Sequence, residues 1–153
     1  MRINTVNFGE LEISRNSIIT FNDGLPGFPR LRQFAILKME EIEPFHYLQA
    51  LPADDAPQIA LYLINPFLVD PGYEFHLTDS DMDAVKSADS EELTIYAVAT
   101  IPADPGEATL NLMAPIVINE KERCGRQVIL HDSKYSVRHP LLNRMFHGDS
   151  YYN

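Results

Sequence analysis

Two glycines in the stretch FNDGLPGFPR (residues 21–30) are the first candidates for chemistry, because glycine-rich turns cradle phosphates. A nucleotide loop needs Gly-x4-Gly-Lys-Ser/Thr running into a helix, and a dinucleotide loop needs GxGxxG between strand and helix. Here only Leu25 and Pro26 separate Gly24 from Gly27, and no lysine or hydroxyl residue follows at the required spacing. Pro26 also lacks the backbone N–H that a phosphate would use. The residues read instead as two tight turns, Asn22-Asp23-Gly24 and Pro26-Gly27. Gly24 and Gly27 supply the backbone freedom. Phe28 is expected to anchor this corner in the core, and Leu25 either to join it or to stay exposed for a partner.

The other reactive side chains do not assemble by spacing. Asp79, Asp81 and Asp83 in DSDMDA stand at positions 1, 3 and 5 of a calcium loop. Position 6 is then Ala84 where glycine is needed, and position 12 is Ser90 where a bidentate glutamate is needed, so the segment reads as a helix start. His46, His76, His131, His139 and His147 show neither HxH nor HExxH spacing. Cys124, the single cysteine, excludes an internal disulfide and any CxxC site. It stands beside Arg123 and Arg126, cations that would activate a thiolate, but no histidine adjoins it. The acid pairs Glu40-Glu41 and Asp54-Asp55 are sequence neighbours, which point to opposite faces of a strand and so build no general acid and base. No catalytic residue, metal site or cofactor site is expected. A second reading, a small β-barrel metal-binding or enzymatic domain, would need the fold to gather the histidines and Cys124.

Charge placement is more informative than its total of −10 over 153 residues. Residues 40–107 hold 15 acids and one base, Lys86, whereas the segments on either side each carry a small positive excess. Such a field repels nucleic acid and favours a basic partner. No aromatic stripe flanked by bases marks an RNA surface. No apolar run reaches the ~18 residues of a membrane span, and no basic-then-apolar leader opens the chain, so a cytoplasmic protein is expected.

These residues must be positioned by an all-β domain. Short apolar segments recur about every ten residues between turn signals: RINTV (2–6), LEIS (11–14), SIITF (17–21), QFAILKM (33–39), FHYLQAL (45–51), IALYLIN (59–65), YEFHL (73–77), LTIYAVATI (93–101), TLNLM (109–113), PIVIN (115–119) and RQVIL (126–130). YEFHL alternates as a half-buried strand, with Tyr73, Phe75 and Leu77 on one face. EKERCG (120–125) reads as a hairpin end turning on Gly125. One short helix is predicted at 78–88, with Thr78 and Asp81 forming a near capping box. A C-terminal helical turn is predicted over 139–148, with Pro140 at its first position and Gly148 at its stop. So many strands in one short chain need two packed sheets or a closed barrel, antiparallel because the connections are short.

Five motifs in order, ITFNDGLPGF (19–28), PFHYLQAL (44–51), LINPFLVDPGYEF (63–75), NLMAPIVIN (111–119) and GRQVIL (125–130), resemble the flagellar assembly factor FliW family. The resemblance runs over residues 1–138 as a single β domain and leaves 139–153 as a C-terminal extension. It implies a small antiparallel β-barrel-like fold and a non-enzymatic protein. It also implies two cytoplasmic partners: newly made flagellin, and CsrA, a small basic RNA-binding translational repressor. Flagellin and CsrA would compete, which couples flagellin synthesis to export. On that reading Asp54, Asp55, Asp70 and Glu74 are candidates to meet the basic partner, and Leu25 and Phe28 to meet flagellin.

Overall fold

The computed structural model describes residues 1–5, 8–51, 58–131 and 134–141. Strands β1 (Arg2–Thr5) and β2 (Gly9–Glu12) form a separate hairpin, with Ile3 opposite Leu11. Seven further strands close into a barrel in the order β3 (Ile18–Thr20), β4 (Gln33–Leu37), β5 (His46–Ala50), β6 (Ala60–Ile64), β7 (Thr94–Thr100), β8 (Thr109–Asn119) and β9 (Cys124–Gln127). Each neighbouring pair from β3 to β9 is antiparallel, but the pair that shuts the ring is parallel: Thr20 of β3 lies opposite Cys124 of β9. The Thr20 N–H donates to the Arg123 carbonyl at 3.0 Å in the same seam.

Period-two alternation sends one set of side chains into the barrel: Ile19, Phe34, Leu48, Leu63, Tyr96, Ile116 and Ile118. Phe21 and Phe34 meet edge to face inside it, at 5.1 Å between ring centres. The outer faces are covered as well, which is why QFAILKM and LTIYAVATI are apolar on both faces. The β1–β2 hairpin packs Ile3 against Ala35, Leu37 and Tyr47. The helix α1 (Asp79–Ala84) and its C-terminal turn set Val85 against Val117, Cys124 and Val128. Segments 69–75 and 135–141 cover Ile64, Ala97, Ala99 and Leu110.

The two predicted strands TLNLM and PIVIN are one continuous strand, β8, bent at its middle. Its register against β7 shifts so that Ala97 alone faces the span from Leu112 to Pro115. Asn111 Oδ1 accepts the N–H groups of Met113 and Ala114, each at 3.1 Å, and Pro115 brings no donor to leave unpaired. The bend lets β8 change partners, from β10 (His139–Pro140) on its first half to β9 on its second.

Four expectations are corrected. YEFHL pairs with no strand among the described residues, although it keeps the burial alternation it was read from. The capping box of Thr78 and Asp81 forms, but the helix stops at Ala84, where Lys86 turns to φ 54°. In the hairpin end it is Arg123, at φ 52°, that takes the left-handed conformation. Gly125 is required for space, since a Cβ there would come within 2.7 Å of Ile118 and 2.9 Å of Phe21. His139 and Pro140 pair with Leu110 and Thr109, so Pro140 opens no helix. The rest of that predicted turn, 142–148, lies outside the described residues.

Candidate functional site

The GLPGF corner closes on itself. Leu25 and Phe28 exchange backbone hydrogen bonds of 3.2 and 2.7 Å around Pro26-Gly27, and Gly27 has φ 85°. Proline at the first central position and a left-handed glycine at the second make a type II turn. Gly24, at φ 66°, ends the preceding turn with its N–H donating to the Phe21 carbonyl. A Cβ on Gly24 would stand 2.6 Å from the Phe28 carbonyl oxygen. The side-chain roles are the reverse of the expectation for Phe28. Leu25 is 4% exposed and packs in the barrel interior, whereas Phe28 is 42% exposed. Arg126 ties the corner to α1, with nitrogens 3.8 Å from Asp23 and 3.5 Å from Asp81.

The second region centres on residues 73–77. Tyr73 is buried in an aromatic cluster, its ring 4.6 Å from Tyr135, 5.3 Å from Phe75 and 5.9 Å from Phe67. Its hydroxyl donates to the Leu112 carbonyl at 2.7 Å, and burial pushes the phenol's pKa well above its ordinary value, so it stays protonated. The Glu74 N–H donates to the Tyr135 hydroxyl at 2.8 Å. Asp70 Oδ1 accepts the Gly72 N–H at 3.0 Å and shapes the turn into this segment.

Residues 74–76 form a ridge between two grooves. One, of about 500 Å³, is lined by Phe67, Phe75, Leu77, Met82 and Ile95, with Glu74 and Asp89 among its polar residues. The other, of about 840 Å³, lies on the Ile129, Lys134 and Tyr135 side. The first groove adjoins an acidic surface: Glu74, Asp79, Asp83, Asp89, Glu91 and Glu92 are all exposed. Phe67 and Leu68, in the 3₁₀ turn after Asn65, are exposed beside it.

The structure thus places the sequence candidates unevenly. Glu74 is on the ridge, Asp70 is half-buried and partly committed to its turn, and Asp54 and Asp55 lie outside the described residues. Phe28 lines neither groove. Sequence reading missed Phe67, Met82, Asp89 and Ile95 as groove residues. The exposed Phe67-Leu68 pair between Pro66 and Pro71 was the available signal.

Of the residues of the second reading, His76 and His131 line the same larger groove, Cys124 and His46 lie elsewhere in the barrel, and His147 lies outside the described residues. Among the described residues no three His, Cys, Asp or Glu side chains gather to hold a metal ion. Cys124 is buried, and burial raises its thiol pKa more than nearby Lys86 lowers it, so its neighbouring cations do not activate it. His46 points into the barrel, its ring 5.4 Å from that of Tyr96 and its Nδ1 buried without a partner. Burial, then the Lys38 charge, lowers its pKa. No helix among the described residues is long and apolar enough to cross a membrane.

Comparison with known proteins is consistent across the chain. The model of the family described as "FliW protein" matches residues 2–141. The flagellar assembly factor FliW of Thermosipho africanus is 39% identical over 142 residues, covering 92% of this chain and 95% of that protein. The protein of the same name from Bdellovibrio bacteriovorus is 37% identical over 145 residues, covering 95% and 81%. A crystal structure of the flagellar assembly factor FliW superimposes with a TM-score of 0.83 at 35% identity, covering 92% of this chain and 96% of the other.

Proposed function

The chain belongs to the FliW family of flagellar assembly factors, which are not enzymes, and from that premise we propose that it acts in the cytoplasm as a flagellin-binding chaperone and CsrA antagonist. It holds newly made flagellin until export. Once flagellin has left, it binds CsrA and keeps the repressor off flagellin messenger RNA. Competition between the two partners matches synthesis to secretion.

The observation that carries this reading is the apolar groove bordered by acids. Phe67, Phe75, Leu77, Met82 and Ile95 offer an apolar floor to a polypeptide segment. Glu74 and Asp89 offer charge to a basic one, which speeds encounter and selects the partner. Asp70 adds to the same field, Asp54 and Asp55 stand as candidates from the sequence alone, and Phe28 is a separate apolar contact on the corner.

The test is a pull-down on this protein with the host's flagellin and CsrA, each alone and then in competition. Either should bind alone, and each should displace the other. Binding of neither overturns the proposal, and simultaneous binding of both overturns the competition.

A further inference from the structure

Residues 73–77 run without turn or bend and keep a strand's alternation, yet among the described residues no strand pairs with them. Among the described residues the N–H groups of Phe75, His76 and Leu77 have no hydrogen-bond partner. In extended backbone the N–H and C=O of one residue point to one edge and those of its neighbours to the other. The Glu74 N–H is committed to Tyr135, which lines the larger groove. The polar groups of Phe75 and Leu77 therefore aim at the opposite edge, toward the groove of about 500 Å³. Two residues apart, they stand about 6.7 Å from each other along the chain, the repeat at which an added strand makes its paired hydrogen bonds.

We propose that this edge accepts an added β-strand: an extended segment of a partner protein, apolar at alternate positions and carrying lysine or arginine. The backbone of Phe75 and Leu77 supplies the ladder. Phe67, Met82 and Ile95 receive the apolar side chains. Glu74 and Asp89 receive the cations, and among the described residues no lysine or arginine lines this groove to oppose them. The inference rests on the reading that the chain binds polypeptide partners, and it specifies how one of them is held.

The measurement is amide hydrogen exchange on the full-length, isotope-labelled chain, alone and saturated with flagellin or with CsrA. In one complex the Phe75 and Leu77 amides should slow by at least about tenfold while that of Glu74, already bonded, changes little. A complex in which Phe75 and Leu77 keep their free rates, as they would beneath a helix lying in the groove, overturns the proposal. So does protection that appears in the free chain as its concentration rises, which would make the occupant a second copy. Leu77→Pro removes a donor the fold itself does not use. It should weaken the complex at least about tenfold more than Leu77→Ala, which also loses the half-buried side chain but keeps the N–H; equal affinity of the two variants also overturns the proposal. Failure of both proteins to bind at all overturns the proposed function together with this site, whereas binding without protection overturns this site alone.

Discussion

Tyr73 reaches across 39 residues of sequence to donate its phenol hydrogen to the carbonyl of Leu112, at the bend of β8. Both residues are buried, so the bond joins the unpaired 73–77 segment to the barrel wall where that wall changes direction. Tyr73→Phe keeps the ring and its packing against Tyr135 but leaves a buried carbonyl without this donor. The loss should be about 1–3 kcal/mol in a urea unfolding titration. A change below a few tenths would mean that water replaces the donor.

Gly24 and Gly27 both have positive φ, but only Gly24 is also crowded. Gly27→Ala meets nothing within 4 Å and should cost only the left-handed backbone, about 1–2 kcal/mol. Gly24→Ala adds a clash with the backbone of Phe28 and Pro29 and should cost clearly more. Equal losses for the two variants would contradict the geometry.

His46 is held neutral in the fold by burial and by Lys38, against the opposing pull of Glu120 and Glu43. The unfolded chain takes up a proton near its ordinary pKa of 6.5, so protonation favours unfolding as pH falls through that value. The fold should lose stability as pH falls through the ordinary value of 6.5, and go on losing it until the lowered folded value is passed. His46→Leu, facing the same Tyr96 ring, should lose less over that window. An identical loss in the variant would place the pH dependence on other groups.

The Cys124 thiol is buried and its pKa is raised by that burial. Alkylation by a soluble thiol reagent should be slow in the native protein and rapid once it is unfolded. Fast native modification would show that the seam between β3 and β9 opens readily.

Most of the barrel was legible because its strands carry strong local signals. Branched and aromatic runs between turns marked β4, β5, β6 and β7, and Thr78 with Asp81 marked the helix start through chemistry local to three residues. What failed depended on contacts distant in sequence. Tyr73, Phe75 and Leu77 alternate because they cover the barrel, and a bond donated by the Glu74 N–H to the Tyr135 hydroxyl takes the place of a ladder. The roles of Leu25 and Phe28 were set by the direction in which a type II turn throws each side chain, which residue type does not reveal. Gly125 looked like a turn glycine, but the ring of Phe21, over a hundred residues earlier, is what excludes a side chain there. Of the candidate site, the acidity was visible in composition, while the groove it borders needed Phe67, Met82 and Ile95 brought together from three separate elements.

The barrel is shut by one parallel rung, between Thr20 and Cys124. A ribosome must therefore have delivered more than four-fifths of the chain before β3 can meet its second neighbour. Until then β3 carries an unmatched edge, and the ring cannot close from a fragment that stops earlier. A truncation ahead of Cys124 should accumulate as insoluble material during expression, whereas one that removes residues beyond Leu141 keeps every strand of the ring.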